Sequence, residues 1–452
     1  MTIALFAVVA LAVLGLLALV HRWLWIRLVR DTTAPGGRAR RAGTALAFAL
    51  PLLAVAALVA GRAGAPFWLE RTVAWPGFLW LAALLYLSLA MLVAEPVRAV
   101  WLRRPNGRGQ AAPAAPASTA SPAAEEGGSP TEAPSAGAGA GARAGATAGA
   151  AAGAAPSAGS APQLTLPAPA SPAAPARDGV SRRRFARTVA GAAGAVAVGT
   201  VGYGTYGVLR GPRVKRVQVP LAKLPRAAHG FRIAVVSDVH LGPILGRAHT
   251  ARIVETVNRT QPDLIAVVGD LVDGSVHDLG PAAEPLRGLR ARHGSYFVTG
   301  NHEYFSGAAP WVDHVRELGL TPLENARRAL PYFDLAGVND VAGESEGNGP
   351  DFRAALGDRD RSRTVVLLAH QPVVIDDAVR HGVDLQLSGH THGGQLWPGN
   401  YVAELANPTV AGLERYGDTQ LYVSRGAGAW GPPVRVGAPS DITVVELASY
   451  HA

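Results

Sequence analysis

The sequence predicts an α/β layered domain preceded by a helical transmembrane region. Two contrasting patterns of hydrophobicity along the chain predict this fold class. The first hundred residues contain long apolar stretches without charge, whereas the residues after Gly211 alternate short apolar runs with amphipathic ones. Long apolar stretches are typical of membrane helices, and strands alternating with helices are typical of layered α/β domains.

Three apolar stretches predict three transmembrane helices within residues 1–104. Residues 1–20, 44–60 and 72–94 contain no charged side chain, and each is close to the ~20 residues that cross a bilayer core. A cleaved signal peptide is the alternative for the first stretch. Such a peptide needs a basic start and a small-residue cleavage site, but the start is uncharged and Trp23 follows the stretch.

The composition of residues 105–180 predicts a disordered linker. This segment is mostly Ala, Gly, Pro and Ser with scattered charges. It contains too little apolar side chain to offset the entropy lost on ordering.

Residues 181–210 predict a fourth membrane segment with an unusual start. The segment opens with SRRRF and then has no charge over residues 188–209, which contain six glycines. The opening resembles the S-R-R-x-F core of a twin-arginine export signal, which is also followed by a weakly apolar helix. An ordinary basic flank of a membrane helix remains the alternative.

The alternating pattern of residues 211–452 predicts the strands and helices of the α/β domain. Residues 247–259 have helical spacing, with Ile253 and Val257 on one face. Five short apolar runs are typical of buried strands: 231–237, 263–269, 294–300, 363–370 and 383–389.

A cluster of Asp, Asn or His follows each of these five predicted strands. Because strand ends at one edge of a sheet converge, we expect the five loops to meet at one site. Their oxygen and imidazole ligands suit Mn, Fe or Zn, and seven ligands are about right for two ions that share a carboxylate. The seven side chains are Asp238, His240, Asp270, Asn301, His370, His390 and His392.

The order and spacing of these clusters resemble the signature of calcineurin-like metallophosphoesterases, whose fold is a layered β-sandwich flanked by helices. The signature is D-x-H, GD-x-x-D, GNH-[DE], a single His and GH-x-H. It is found here as Asp238-Val-His240, Gly269-Asp270-Leu-Val-Asp273, Gly300-Asn301-His302-Glu303, His370 and Gly389-His390-Thr-His392. The resemblance covers roughly residues 230 to 450, and the tail is similar to the membrane-attached bacterial branch of the family.

The resemblance implies a role for each matching residue. Asp238, His240 and His392 would hold one divalent ion, and Asn301, His370 and His390 a second. Asp270 would bridge the two ions. The implied reaction is phosphoester hydrolysis by a metal-bound hydroxide. His302 would stabilise developing charge or protonate the leaving oxygen, and Asp273 would orient His302; a simple turn residue is the alternative for Asp273.

The motifs disfavour two other hydrolase classes relative to this phosphodiesterase or pyrophosphatase chemistry. Metallo-β-lactamase-type hydrolases need Asp-His directly after H-x-H, where this chain has Gly393 and Gly394. Phosphoprotein phosphatases have arginines where Thr299 and Gly274 stand. A phosphomonoesterase and a non-catalytic membrane scaffold with a metal-binding domain remain as alternatives.

Two tryptophans and two arginines follow the last motif. Trp397 and Trp430 could shape a pocket, although core packing is the commoner role of such residues. Arg425 and Arg435 could contact a phosphate, although solvated or structural arginines are commoner.

The net charge and the absence of cysteine limit the chemistry and the binding partners that the chain can have. The chain has a formal charge of +9 and no cysteine, so disulfide and thiolate chemistry are excluded. Much of the arginine flanks apolar segments, which favours membrane orientation over nucleic-acid binding.

Arginines are dense after the first and third predicted helices and sparse after the second. The positive-inside tendency therefore predicts a multi-pass protein of the cell membrane with its catalytic domain on the extracytoplasmic face, where a lipid or nucleotide-linked lipid is a plausible substrate.

Overall fold

Four long helices form the N-terminal part of the molecule. The computed structural model describes residues 2–103 and 182–450, so the predicted linker at 105–180 lies outside the described residues. The long helices are α1 (Thr2–Trp25), α2 (Arg38–Val59), α3 (Phe67–Arg103) and α4 (Arg182–Leu209). All four contain stretches that are long and apolar enough to cross a membrane.

Ion pairs tie these helices together at one end. Arg27, at the end of α1, pairs with Glu95 of α3 at 2.5 Å, and Arg98 of α3 pairs with Asp31 at 3.4 Å. Arg187, in the first turns of α4, donates to the carbonyl oxygen of Thr32 at 2.8 Å. The charged residues thus gather where α1 turns into α2, and the opposite end of α4 leads into the α/β domain.

The α/β domain consists of two six-stranded sheets. The first sheet has the strand order β1-β12-β2-β3-β4-β5 and the second β10-β11-β9-β8-β7-β6 when the strands are numbered along the chain. Their bounds are β1 Arg213–Leu221, β2 Phe231–Val236, β3 Leu264–Val268, β4 Ser295–Val298, β5 Thr321–Pro322, β6 Ala326–Ala329, β7 Asp334–Gly337, β8 Val365–Leu368, β9 Leu385–Ser388, β10 Gly412–Tyr416, β11 Thr419–Val423 and β12 Asp441–Ser449. Strands β2, β3 and β4 run parallel, as do β7, β8, β9 and β11.

Alternation along the strands builds the core between the sheets. Ile233 and Val235 of β2 pack in one cluster with Leu385 and Leu387 of β9. The intervening Ala234 of β2 packs instead with the helical layer on the outer face. Side chains two residues apart point to the same side of a sheet, so both faces of the central strands are buried.

Shorter helices cover the outer faces of the two sheets. The predicted helix at residues 247–259 is present as α5, with Ile253 and Val257 buried as expected. The short helices are α5 (Arg247–Arg259), α6 (Val276–Ala283), α7 (Asn301–Ser306), α8 (Ala308–Glu317), α9 (Phe352–Leu356), α10 (Ile375–Arg380) and α11 (Gly399–Glu404). The predicted layered α/β fold is therefore confirmed.

The convergence of the polar loops has a different origin from the one predicted. The strand pattern alone predicted all five loops at one edge of a single sheet, and this was wrong, whereas the β-sandwich implied by the family resemblance is present. Strands β2, β3 and β4 belong to the first sheet, whereas β8 and β9 belong to the second. The two sheets pack face to face with these strand ends on the same side, so the loops of both meet there.

The long helices also pack directly on the α/β domain. Ala82 and Tyr86 of α3 and Val201 of α4 form an apolar cluster with Val434. The Tyr86 hydroxyl donates to the carbonyl oxygen of Trp397 at 3.0 Å. The segments around residues 397 and 434 therefore connect the α/β domain to the long helices.

Candidate metal centre

The first predicted ligand group is assembled as a compact cluster. Asp238 and His240 follow β2, and His392 follows β9. One ligand atom from each of these three side chains lies within 4.8 Å of the others. His240 Nε2 and His392 Nε2 are 3.0 Å apart, and Asp238 Oδ1 lies 3.5 Å from His392 Nε2.

The second predicted group lies next to the first. Asp270, His370 and His390 also have ligand atoms within 4.8 Å of one another. Asn301 Oδ1 lies 3.0 Å from His390 Nδ1, so the amide oxygen faces the same space. Asp270 Oδ2 is 3.1 Å from His370 Nε2 and 3.7 Å from His240 Nε2. Asp270 thus stands between the two groups, where a bridging carboxylate belongs.

A third cluster adjoins the first group. His302 Nδ1 lies 2.6 Å from Asp273 Oδ1, and His240 Nδ1 lies 2.9 Å from the same oxygen. The main-chain N–H of His302 donates to Asp270 Oδ1 at 2.9 Å. Asp273 is therefore more than a turn residue, since it holds both a candidate ligand and the candidate acid.

Backbone conformation aims most of these side chains into the site. Five of the seven predicted ligands have positive φ, with values of 52° for Asp238, 47° for His240, 54° for Asp270, 72° for His390 and 53° for His392. A left-handed backbone costs a non-glycine residue ~1 kcal/mol or more and is concentrated at functional sites. The fold therefore sustains a local cost to point these groups inward.

Two glycines allow the catalytic loops to approach one another. A Cβ on Gly389 would collide with the Ser237 hydroxyl, and one on Gly300 would collide with the Asp270 carboxylate. Each glycine thus admits a side chain of the neighbouring loop. This close contact between loops is the physical reason why the motifs have glycine before His390 and before Asn301.

Glu303 has a structural role that the sequence argument did not assign. Its carboxylate is fully buried and accepts the main-chain N–H groups of Asp270 at 3.0 Å, Leu271 at 2.7 Å and Gly300 at 2.6 Å. Burial and the neighbouring charge of Asp270 raise the pKa of Glu303 to about 7, against the opposing effect of these N–H donors. Glu303 fastens the loop after β3 to the loop after β4, and with it the position of Asp270.

The protonation of His370 tests whether a cation fits the site. His370 Nδ1 must donate to the carbonyl oxygen of Val268 at 2.8 Å, because a carbonyl can only accept. Nε2 then faces the Asp270 carboxylate with a lone pair unless it takes up a proton. Burial lowers the pKa of His370, but Asp270 outweighs burial and the pKa is raised well above its ordinary value. A divalent ion between these two atoms would satisfy both of them.

The charges of the neighbouring groups agree with this fit. Burial raises the pKa of Asp238, and the nearby Asp270 charge adds to this effect. Burial also acts against charge on His240, but Asp273 raises the pKa of His240 to about 9. Three carboxylates share a mostly buried space, and cations are the natural means of neutralising them. An imidazole with a carboxylate behind it, as in His240–Asp273, is also the usual arrangement of a metal-ligating histidine.

Arg435 supports His392 from behind. It is buried and donates to the carbonyl oxygen and to Nδ1 of His392, at 3.1 and 3.0 Å. Its remaining contacts go to the carbonyl oxygens of Gly428 and Ala438. A His392 that binds a metal through Nε2 carries its proton on Nδ1, so loading would displace the single Arg435 contact to that nitrogen. Arg435 is thus a structural residue of the site wall.

Aromatic side chains form an open rim beside His302. The rings of Phe305 and Trp430 lie 5.4 and 5.5 Å from the His302 ring. Phe305 is 69% exposed and Trp430 49% exposed, and Trp397 is exposed to a similar extent. The expectation that Trp397 and Trp430 pack in the core was therefore wrong, because both are about half exposed, and Trp430 lies beside His302.

Comparisons with known proteins agree with this architecture. The calcineurin-like phosphoesterase family model matches residues 231–394. The metallophosphoesterase YkuE of Bacillus subtilis is 31% identical over 287 residues, which cover 60% of this chain and 98% of that protein. A metallophosphoesterase of Aquifex aeolicus is 33% identical over 240 residues, which cover 52% of this chain and 91% of that protein.

Another relative is described by its name as a transmembrane protein. The "transmembrane protein with metallophosphoesterase domain" of Danio rerio is 39% identical over 259 residues. The match covers 54% of this chain and 59% of the fish protein, so it spans little more than half of either.

Proposed function

The chain belongs to the calcineurin-like metallophosphoesterase family, and on this premise we propose that it is a membrane-anchored phosphoesterase with two divalent ions, of Mn, Fe or Zn. The observation that carries the proposal is the position of Asp270 between two ligand groups. One group contains Asp238, His240 and His392. The other contains Asp270, His370 and His390, with Asn301 beside His390, and Asp270 Oδ2 also lies 3.7 Å from His240 Nε2 of the first group.

The residues divide the work of the reaction between binding and proton transfer. When bound, the two ions would supply charge neutralisation for the phosphate and lower the pKa of a water molecule. Asp270 would fix the separation of the two ions, and the N–H of His302 would keep Asp270 in one orientation through its 2.9 Å contact. Glu303 would hold the two loops that carry these groups.

His302 is the proposed acid for the leaving oxygen. Its Nδ1 proton is directed at Asp273 Oδ1, 2.6 Å away. This contact leaves Nε2 to face the substrate, and the carboxylate stabilises the positive imidazole that can donate a proton there. Burial raises the pKa of Asp273, but His240 and His302 outweigh burial and lower it to about 2, so the carboxylate stays charged at neutral pH.

The proposed substrate class is a phosphodiester or pyrophosphate with an apolar group near the leaving oxygen, such as a lipid or a nucleotide-linked lipid. The exposed rings of Phe305 and Trp430 support this class, because both flank His302 and offer apolar surface. The leaving group of a phosphomonoester could use the same rim, so the rim favours an apolar leaving group in either class. The hydrogen bond from Tyr86 to the carbonyl oxygen of Trp397 adds support, because the nearby Gln395 contacts the main chain of Trp430 and so links the rim to the long helices.

We further propose that the catalytic domain lies on the extracytoplasmic face. Arg27, Arg98 and Arg187 gather at the end of the helices away from the catalytic domain. Positively charged residues favour the cytoplasmic side of a membrane. The opposite end of α4 would then deliver the catalytic domain outside, in keeping with the twin-arginine-like opening of this helix.

Hydrolysis by the purified full chain tests the enzymatic proposal. Bis-p-nitrophenyl phosphate serves as a general diester, and a panel of lipid phosphoesters and nucleotide diphosphate sugars tests the substrate class. We expect metal-dependent hydrolysis of the diester and faster turnover of lipid members of the panel. If the wild-type protein with its full metal content does not hydrolyse the diester, the scaffold alternative is favoured.

Protease access in intact cells tests the membrane side. We expect an external protease to cleave the wild-type catalytic domain and to lose access when Arg182 and Arg183 are both replaced by Lys. A wild-type domain that is already protected would contradict the external topology.

A further inference from the structure

A cavity outside the metal centre lies where α4 meets the catalytic domain, and Arg435 belongs to the walls of both. The cavity has a volume of about 510 Å³, and it is lined on one side by α4 and on the other by residues 435–440. Its walls include the aromatic rings of Tyr203 and Tyr206, the cationic groups of Arg210, Arg213 and Arg435, and the polar residue Ser440. We propose that this cavity binds the phosphate headgroup of an anionic phospholipid. The proposal rests on the membrane anchoring argued above.

The cavity lies at the depth of a lipid headgroup. Arg187 belongs to the charged end of the helices, and Tyr206 lies nineteen residues further along α4. Nineteen residues of helix rise ~29 Å, and the hydrocarbon core of a bilayer is ~30 Å thick. Tyr206 and the residues after it therefore reach the opposite membrane interface. Tyrosines are enriched at this depth because the ring sits among apolar chains and the hydroxyl among headgroups.

The cationic groups are available for a ligand. Arg210 and Arg213 are both exposed, and neither forms an ion pair with another described residue. The guanidinium of Arg210 lies 5.9 Å from the centre of the Tyr206 ring. Two adjacent arginines can bind phosphate oxygens through forked N–H pairs. Together they supply the charge that an anionic headgroup requires.

Ser440 provides a polar group that lacks a partner. It is only 4% exposed, and its hydroxyl has no hydrogen-bond partner among residues 2–103 and 182–450. A buried hydroxyl without a partner is costly, and Ser440 lies on the cavity wall. The carboxylate of the adjacent Asp441 does not compete, since it accepts from Ser424 and Thr443 within the domain. Because this hydroxyl is closed to solvent, a phosphate oxygen in the cavity would satisfy it only after a shift of the cavity wall.

The cavity is open on the side where acyl chains would lie. Tyr203 is 73% exposed and Tyr206 62% exposed, so their rings form an open flank. An apolar tail could leave the cavity along α4 while the phosphate stays between the arginines. A free phosphate ion would contact only the polar half of this surface. An acidic peptide would stay in the aqueous phase and would not contact the part of the cavity that lies at the membrane interface. The combined chemistry therefore favours a lipid.

Native mass spectrometry of the full chain in detergent tests the proposal. The probes are phosphatidylglycerol, phosphatidylcholine and inorganic phosphate, each added separately. We expect one phosphatidylglycerol per chain to bind at least tenfold more tightly than phosphatidylcholine. The Arg210→Gln, Arg213→Gln double variant should lose this preference.

A matched double variant controls for the loss of two charges. Arg259→Gln with Arg415→Gln removes two exposed arginines from other surfaces of the catalytic domain, and it should bind phosphatidylglycerol as wild type does. Unchanged metal content and melting temperature of both double variants would show that they are folded. Equal phosphatidylglycerol binding by the two variants would overturn the proposal, as would equal binding of both lipids by wild type. Tight binding of inorganic phosphate without binding of the lipid would overturn the lipid assignment. Because the readout is binding, failure of the phosphoesterase proposal would leave this result unaffected.

Discussion

Replacing Glu303 with Gln isolates the contact that fixes the bridging carboxylate. Oε2 of Glu303 accepts the N–H groups of Asp270 and Gly300, and Oε1 accepts that of Leu271. A glutamine at this position can keep its carbonyl oxygen on one side only. Its NH₂ group must then face a main-chain N–H, so one donor meets another donor in a fully buried space.

The size of the effect follows from these three contacts. One buried N–H without an acceptor costs ~1–3 kcal/mol. The other two hydrogen bonds lose their charge assistance, which contributes roughly half of their strength. Removing the charge also relieves the burial cost that raises the pKa of Glu303 to about 7, which offsets this loss, so we expect Glu303→Gln to lower the free energy of unfolding by about 1–3 kcal/mol, the cost of the unpaired N–H. Residues that orient metal ligands typically change metal affinity by ~10–100-fold, and we expect a loss of that size here.

Two measurements on the full chain in detergent check this expectation. Urea unfolding followed by tryptophan fluorescence reports stability, and titration against a competing chelator reports metal affinity. Glu255→Gln is the matched control, because Glu255 is exposed on α5 and forms one ion pair with Arg259. That change should stay within ~0.5 kcal/mol of wild type. Wild-type stability and wild-type metal affinity in Glu303→Gln would refute the reasoning.

Three further changes separate binding, proton transfer and buried charge. Asp270→Asn should abolish metal loading and turnover together, as measured by metal analysis and diester hydrolysis; normal metal content would remove Asp270 from its bridging role. His302→Ala should retain both metals and lose ~10²–10⁴-fold in rate, and an unchanged rate would exclude His302 as the acid. Burial, with the charges of Arg252 and Arg435, lowers the pKa of His249 to about 4 from 6.5 in the unfolded chain. Its contribution to stability is therefore complete above pH 6.5 and falls by up to ~3 kcal/mol as the pH drops to 4. Neither ring nitrogen of His249 has a hydrogen-bond partner among the described residues, so His249→Phe should flatten this part of the pH–stability profile, and a profile identical to wild type would contradict the assignment.

The predicted strands were found because their side chains are almost uniformly apolar. Residues 231–237 and 263–269 coincide with β2 and β3 to within one residue at each end. Such strands are buried on both faces, so the pattern carries the signal without knowledge of the partner strands. The polar residues after each strand were visible for the same reason, since they interrupt an apolar run.

Strands with mixed composition were not predicted. Strand β1 alternates charged and apolar residues at the edge of its sheet, and its parallel partner β12 lies more than two hundred residues further along the chain. A pairing over this distance leaves no local pattern. The division of the five loop-bearing strands between two sheets also leaves no local pattern, and only the family resemblance implied a sandwich.

Within the site, residue types could be predicted but shared contacts could not. Asp273 was expected to orient His302, yet its simultaneous contact with His240 depends on the meeting of two loops. Glu303 stands beside Asn301 and His302 in the motif. Two of its three main-chain partners, Asp270 and Leu271, belong to a different loop that is distant in the sequence. Trp430 illustrates the reverse, because composition favours burial of tryptophan and only the fold shows it at the rim.

The number of metal ions bound per chain tests the central claim most directly. Elemental analysis of the purified full chain, with hydrolysis of bis-p-nitrophenyl phosphate measured on the same sample, gives this number together with activity. A site in which Asp270 joins two ligand groups predicts two divalent ions per chain, and activity that rises only as the second ion binds. Full hydrolytic activity with one ion, or with none, would contradict the dinuclear site.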